Sequence, residues 1–157
     1  FHVDKFLARE RALPIILPVS VGGLELASDD TFGELDVRAL LAVFSVPRLN
    51  HVGEGWGGGR SGLYRDSEGR ATVLVALDWD TERDAAQWEE AVLVYVNEAF
   101  DADLPGFPAP VSCAATVCWQ IGTRAIAFER EGARTALAFS KTSADAEALA
   151  LAIVPAP

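Results

Sequence analysis

Gly55-Trp56-Gly57-Gly58-Gly59-Arg60 is the stretch of this 157-residue chain around which a fold can first be assembled. A hairpin follows it, with Asp66-Ser67-Glu68-Gly69 at the turn, because Asp and Gly tolerate the left-handed backbone of a tight reversal. We expect a short strand over 61–65 and a longer one over 70–79, in which alternate residues face opposite sides of a sheet. The glycine-rich stretch therefore introduces a strand pair.

A helix should follow this hairpin directly. Asp80 or Thr81 can cap it, and Glu82 and Asp84 are favourable in its first turn. Apolar residues then recur at helical spacing and predict a face that packs on the sheet. They are Ala85, Trp88, Val92, Tyr95, Val96 and Phe100.

A second, shorter copy of this unit begins near Trp119. Trp119 to Arg124 parallels Trp56 to Arg60, and Glu129 to Arg134 parallels the first hairpin turn. Thr142 or Ser143 then caps a helix that runs through Ile153. An internal duplication is the simplest explanation, and chance similarity between two hairpin–helix units is the alternative.

The predicted fold class is α+β. Two tandem β-hairpin–helix units would form one antiparallel sheet of four strands, with the helices on one face. A chain of this length is expected to be a single domain over 1–157. We divide it into an N-terminal strap and helix (1–54), a first unit (55–100), a connector (101–118) and a second unit (119–157).

The N-terminal part carries two local signals. Residues 14–21 are predicted to be extended, and their two prolines predict an edge strand or a strap across the body. Thr31 and Glu34 fit a capping box, in which Thr31 accepts from the backbone and Glu34 reaches back. A short helix with an apolar face would follow; that face consists of Leu35, Leu40, Leu41 and Phe44.

Composition excludes several classes of partner. The formal charge of −10 argues against nucleic acid and anionic membrane surfaces, since both reward clusters of Lys and Arg. No apolar run approaches the roughly 20 residues of a transmembrane helix. The chain has no Met and starts at Phe1, so we interpret it as a processed product, a truncated chain or part of a longer protein.

Cys113 and Cys118 are the only cysteines. Their Cys-Ala-Ala-Thr-Val-Cys spacing is longer than that of a redox Cys-x-x-Cys motif, and no nearby His completes a zinc site. We therefore predict a local disulfide between them, which would imply an oxidising compartment. The alternative is a pair of small buried thiols in a cytosolic protein.

The motifs that usually carry chemistry are incomplete. The glycines satisfy G-x-G-x-x-G, but they lead into a strand and hairpin, whereas a dinucleotide site needs a strand before them and a helix after them. A calcium-loop register over residues 78–89 has Arg83 where that loop requires Gly. His51 near Ser61 lacks an ordered third partner for nucleophilic catalysis. We therefore predict no catalytic residues, no cofactor and no metal.

The residues left as a possible interaction or structural motif are aromatic, basic and acidic. They are Trp56, Arg60, Trp79, Asp80, Trp119 and Arg124. The tryptophans, together with Trp88, are interpreted as core residues, with a ligand groove as the alternative. Arg60 and Arg124 hold equivalent places in the two units, and each is expected to pair with a helix-start acid, Asp84 or Asp145.

The same residues carry a resemblance to a family of uncharacterised bacterial envelope proteins and lipoproteins. Residues 55–60, the hairpin, and Trp79 to Ala86 are similar to that family's Gly-Trp-Gly-Gly-Asp-Arg-Tyr, strand pair and Trp-Asp-Ser/Thr pattern. His2 to Phe6 resembles its His-Pro-Glu-Lys-Tyr, and residues 30–35 its Thr-Leu-Gly-Glu segment. This chain has Gly59 in place of the family Asp. In several members a zinc-peptidase-like region lies upstream, and its His-Glu-x-x-His helix has no match here.

Residues and resemblance together predict a non-catalytic structural or protein-interaction domain in the cell envelope or secreted from the cell. Its partner would be another envelope protein or the upstream part of the same polypeptide. One alternative is an accessory C-terminal region of a zinc-metallopeptidase-like protein whose catalytic part is absent from this chain. Another is a small-ligand binding module that uses the glycine stretch and the tryptophans.

Overall fold

The structure is a computed structural model that describes residues 12–43, 49–100 and 109–153. The lead-in before Ala12, Phe44 of the expected first helix, part of the connector and the tail after Ile153 lie outside the described residues.

The described residues form eight strands and four helices. The strands are β1 (Ser20–Val21), β2 (Leu24–Thr31), β3 (Trp56–Arg65), β4 (Ala71–Trp79), β5 (Pro110–Val111), β6 (Val117–Ile121), β7 (Arg124–Glu131) and β8 (Arg134–Ser140). The helices are α1 (Glu34–Val43), α2 (Leu49–Glu54), α3 (Glu82–Phe100) and α4 (Ser143–Ile153). All strands join one antiparallel sheet in the order β1-β2-β3-β4-β8-β7-β6-β5. The α+β class is thereby confirmed.

The sheet has eight strands, whereas four were expected, and the additional strands change which residues of the two units are equivalent. β3 starts at Trp56 itself, whereas Trp119 lies inside β6 and is separated from β7 by the Gly122-Thr123 turn. The equivalence of Trp119–Arg124 with Trp56–Arg60 is therefore wrong. Residues 101–118 are also more than a connector, because they include β5 and the start of β6.

The helices lie on both faces of the sheet, which corrects the expectation of one helical face. On β4, Val75, Leu77 and Trp79 face a core shared with α3, α1 and α2, which we call the first face. Leu74 and Ala76 point the other way, to the second face, where α4 packs. The two strand–strand–helix units therefore place their helices on opposite sides, so a superposition would not match their hand.

Side-chain size explains where α4 lies. On the second face, the buried residues of β7 and β8 are all alanines, Ala125, Ala127, Ala136 and Ala138, each at most 1% exposed. Ala146 and Ala150 of α4 pack against them, and small residues on both surfaces allow a helix to approach a sheet closely. On the first face the same strands present Ile126, Phe128 and Leu137.

Of the three predicted helix caps, two are confirmed and one was misplaced. Thr81 Oγ1 accepts from the Asp84 amide of α3, and Thr142 Oγ1 accepts from the Asp145 amide of α4. In α1 the cap is Gly33, whose amide donates to the Asp36 carboxylate at 2.7 Å. Thr31 cannot play that role because it is still paired in β2 with Arg60.

The predicted apolar face of α1 is correct in part. Leu41 is completely buried and Leu40 packs against the same core, as predicted. Leu35 is instead 74% exposed, and the completely buried Val37 was not predicted. Before β1, residues 12–18 take no strand conformation and cross the second face, where Ile15 and Leu17 are buried. We call residues 12–18 the strap, which is one of the two forms expected from the prolines.

Candidate functional site

The glycine-rich stretch is a junction of three chain segments at the start of β3, which we call the glycine junction (residues 55–60). The Leu13 amide of the strap donates to the Gly57 carbonyl at 2.8 Å. The Phe32 amide, after β2, donates to the Gly59 carbonyl at 3.0 Å, and the Asp80 amide, before α3, donates to the Gly55 carbonyl at 2.8 Å. The junction therefore joins the strap, the entrance to α1 and the entrance to α3.

Close backbone approach explains why this stretch is glycine. A Cβ on Gly58 would lie less than 3.0 Å from the Leu13 carbonyl oxygen, and one on Gly59 equally close to the Phe32 carbonyl oxygen. A Cβ on Gly55 would collide with the Asp84 side chain. Gly57, Gly58 and Gly59 lie in β3 and Gly55 directly precedes it, which is not the strand-to-helix geometry of a dinucleotide site.

Trp56 and Trp79 are register partners at this end of the sheet. The half-buried Trp56 donates its indole N–H to the Phe32 carbonyl at 3.1 Å. Trp79 donates its own to Thr135 Oγ1 at 2.9 Å, and its ring lies 5.7 Å from that of Trp88. Trp79, Trp88 and Trp119 are at most 2% exposed, so these three are core residues as predicted.

The expected arginine pairs are wrong. Arg60 forms an ion pair with Asp29 of β2, and Arg124 lies over the Phe100 ring, 5.9 Å from its centroid. Asp84 and Asp145 instead bond the capping threonines of their own helices at 2.6 Å. Arg60 lies four residues before Tyr64 and thus on the second face of the sheet, whereas Asp84 lies in the first turn of α3, which packs on the first face.

The six motif residues do not converge on one site. Trp119 pairs with Ile126, Ile126 with Phe139, and Phe139 with Val73, so Trp119 lies level with the far end of β4. Trp79 lies six residues away along that strand, which corresponds to roughly 20 Å. Trp56, Trp79 and Asp80 thus form one group, and Trp119 and Arg124 another.

Asp80 opens onto a cleft between α2 and α3, which we call the acidic cleft. Its volume is about 1250 Å³. It is lined by His51, Val52, Glu54, Gly55, Asp80, Thr81, Arg83, Asp84, Ala86, Gln87, Glu90, Ala91 and Val94. Val52 and Ala91 form a buried apolar floor, and the rim carries four carboxylates against the single cation of Arg83.

Sequence reasoning found Asp80 but missed the cleft. α2 was not predicted, because Leu49–Glu54 is only six residues long and contains Gly53. The sequence signal that could have indicated a buried segment here was Val52, an apolar residue three positions before Gly55.

The groups that invited a catalytic or metal interpretation are dispersed. His51 is 71% exposed and lies 3.5 Å from Glu54, while Ser61 does not line the cleft. Asp78, which belongs to the calcium-like register, makes two bonds of 2.6 and 2.8 Å to Arg134 and raises the pKa of that guanidinium further. Among the residues that the structure describes, no three His, Cys, Asp or Glu side chains are grouped to hold a metal.

Cys113 and Cys118 are joined in a disulfide, with Cα atoms 6.2 Å apart, as one of the two sequence interpretations expected. The four residues between them are anchored from both sides. The Ala114 amide donates to Glu147 of α4 at 2.5 Å, and the Thr116 amide donates to Glu129 of β7 at 2.7 Å. The disulfide closes the loop before β6, and the two hydrogen bonds attach this loop to α4 and to β7.

Comparison with known proteins gives one match. A family model described as Domain of unknown function (DUF8575) matches residues 22–150. No curated protein and no solved structure matches the chain. Within the residues that the structure describes, no helix has both the length and the apolar character needed to cross a membrane.

Proposed function

We propose that this chain, which belongs to the family described as a domain of unknown function (DUF8575), is a non-catalytic structural or protein-interaction domain of a bacterial cell-envelope or secreted protein. The match covers residues 22–150, which include the strands from β2 to β8, the helices α1 to α3 and most of α4.

The observation that carries this proposal is the use of the glycine junction. Its carbonyls accept backbone amides from three other segments, and Gly55, Gly58 and Gly59 each lack room for a Cβ. The most distinctive residues of the chain are therefore committed to packing. A motif of this kind specifies a rigid body that presents surfaces, and the acidic cleft is a concave surface beside it.

The proposed compartment depends on the Cys113–Cys118 bridge. Structural disulfides persist in oxidising compartments and are rare in the cytosol of most bacteria. The bridge can be tested by isolating the protein from its host under thiol-blocking conditions and measuring its mass before and after reduction. A mass consistent with two blocked thiols in the native protein would contradict an extracytoplasmic location.

A partner at the acidic cleft can be tested by site-specific photo-cross-linking in the native host. The cross-linking residue replaces Glu90, which is exposed on the cleft rim. The matched control replaces Glu68, which is also exposed but lies in the turn at the opposite end of β3. We expect a discrete adduct from position 90 and none from position 68. Equal labelling at both positions would contradict a specific interaction surface.

The non-catalytic part of the proposal has its own assay. The purified chain is incubated with peptide and ester substrates, with and without zinc, and only background turnover is expected. Turnover that disappears in a His51→Ala variant would refute it, because His51 is the one imidazole on the cleft.

The cleft also favours a second candidate, a small-ligand binding module. Its volume of about 1250 Å³ and its apolar floor suit a small molecule, and its acidic rim favours a cationic one. The tryptophans do not line it, so this version differs from the one expected from sequence. Titration with a panel of alkylamines and arylguanidines should shift amide resonances of residues 80–94 if the candidate is correct, and leave them unchanged if it is wrong.

A further inference from the structure

The acidic cleft is an elongated groove along α3. Its lining on that helix begins at Arg83, ends at Val94 and includes Gln87, Glu90 and Ala91. Because an α-helix rises about 1.5 Å per residue, this lining extends for about 16 Å along the helix axis. The opposite wall is α2. A groove of this length matches about five residues of an extended peptide, at about 3.3 Å per residue.

The end of the cleft beside the glycine junction is negative. Its three carboxylates belong to Glu54, Asp80 and Asp84. All three residues adjoin Gly55, by sequence, by a backbone hydrogen bond and by side-chain proximity respectively. The N-terminus of α3 contributes about half a positive charge, and Arg83 contributes one more, so the three carboxylates outweigh both. This end of the cleft therefore favours a cationic group.

A second negative position lies further along the cleft. Glu90 follows Asp84 by six residues, which places it about 9 Å further along the α3 axis and on another side of the helix. It is exposed, and among the residues that the structure describes it has no ion-pair or hydrogen-bond partner. The floor beside it is apolar, since Val52 and Ala91 belong to the same buried core. The cleft thus presents two separated negative positions and an apolar floor.

We propose that the acidic cleft binds an extended basic peptide of a partner protein, in which two Lys or Arg residues lie four positions apart with an apolar residue midway. Alternate residues of an extended chain share one side, so all three side chains face the cleft. The two cations are then about 13 Å apart and reach both negative positions, while the apolar residue covers the floor. This inference rests on the proposed interaction role of the cleft and adds the chemistry of the partner.

The first test titrates the unaltered chain with a capped peptide of sequence Arg-Ala-Leu-Ala-Arg and follows the backbone amide resonances. We expect saturable shifts at residues 51–55 and 80–94, with a Kd of about 1 mM or lower. A peptide with glutamates in place of both arginines should not bind. Serine in place of the leucine should weaken binding about tenfold, because the apolar contact with the floor is lost. No saturable shifts up to about 10 mM peptide, or equal binding of a single arginine amide, would overturn the proposal.

The second test compares two variants with the same change of charge on the same helix. Glu90→Gln removes the second negative position, whereas Glu98→Gln alters an exposed residue of α3 that does not line the cleft. The first should weaken peptide binding about two- to fivefold, and the second should leave it unchanged. Near-ultraviolet circular dichroism checks that both variants keep the fold. Equal weakening in the two variants, or none in Glu90→Gln, would overturn the proposed position of the second cation.

These outcomes are distinct from those that test the interaction function itself. A discrete cross-link from position 90 in the host, together with no peptide binding, would overturn the basic-peptide inference and leave the interaction function intact. Peptide binding without any cross-link in the host would contradict the interaction function, although the peptide preference of the cleft would stand. Shifts at these amides that follow the protein concentration and not the peptide concentration would identify a second copy as the occupant and overturn the inference.

Discussion

Gly59→Ala is the substitution that tests the glycine junction most directly. The added methyl would lie less than 3.0 Å from the Phe32 carbonyl oxygen and 2.6 Å from Leu77 Cδ2, whereas ordinary contacts begin at 3.4 Å. One neighbour is backbone and the other belongs to a completely buried side chain, so neither can move freely. The Phe32 carbonyl also accepts the indole N–H of Trp56, and that bond must be disturbed when the carbonyl is displaced.

The size of the effect follows from these contacts. Overpacking a rigid site costs about 1–3 kcal/mol. The bonds Phe32 N–H to Gly59 and Trp56 N–H to Phe32 contribute about 1 kcal/mol each. Replacing Gly by Ala restores about 0.4–1 kcal/mol by restricting the unfolded chain. We expect a net loss of about 3 kcal/mol in the free energy of unfolding, which lowers the Tm of a domain of this size by about 10 °C.

The assay is urea unfolding followed by tryptophan fluorescence, with Gly53→Ala as the matched control. A Cβ on Gly53 also has a neighbour at 2.7 Å, but this is Nε of Arg38, on a long side chain that can swing aside. Gly53 lies in α2, where Ala is the better helix former, so the control should stay within about 1 kcal/mol of the unaltered chain. Equal losses in the two variants, or a Gly59→Ala chain as stable as the original, would refute the backbone-approach explanation.

Three further predictions concern Tyr64, the pair of Asp78 and Arg134, and the cap of α3. Burial raises the pKa of Tyr64 from 10.0 to about 12, so the stability that its neutral hydroxyl provides is complete below pH 10 and is lost as the pH rises towards 12. Between pH 10 and 12 the free energy of unfolding should fall less steeply with pH in Tyr64→Phe than in the unaltered chain. An equal slope in the two chains would show that this hydroxyl is not the titrating group. Asp78→Asn should cost about 1–2 kcal/mol, because it removes a charged acceptor from the partly exposed Arg134, and a double-mutant cycle with Arg134→Gln should show positive coupling. Thr81→Ala should cost about 1 kcal/mol through loss of the α3 cap, while Thr81→Ser stays close to the original; equal costs in urea unfolding would exclude the cap as the cause.

The elements that the sequence predicted correctly carry strong periodicity over their own length. β4 alternates from Thr72 to Trp79, and its two sets of residues do face two different cores. The apolar positions of α3 recur over 19 residues, and both α3 and α4 carry a capping threonine. In these segments local pattern and tertiary environment agree, so either alone identifies the element.

The elements that were missed lack such a pattern. β2 reads Leu-Glu-Leu-Ala-Ser-Asp-Asp-Thr and is exposed over most of its length, because β1 covers only its first residues. β1 and β5 are two residues each, too short for any periodicity. These strands exist because a neighbouring strand offers them hydrogen bonds, which is a tertiary cause that no local pattern records.

The side of the sheet on which each helix packs is also a tertiary property. A hairpin followed by a helix predicts that the helix covers the sheet, but not which face it covers. Here the alanines of β7 and β8 leave space close to the second face, and Ala146 and Ala150 allow α4 to pack against them. The acidic cleft follows from the same arrangement, since α1 and α2 share the first face with α3.

The glycine junction also limits how far the resemblance to the envelope family can be carried. That pattern has Asp where this chain has Gly59. The Gly59 position faces the Phe32 carbonyl and the buried Leu77, with no room for a methyl group and still less for a carboxylate. A protein with Asp there must pass from β2 into α1 by another route, or must align differently over this stretch. We therefore propose that a protein with Asp at this position differs from this chain in the segment equivalent to residues 31–33.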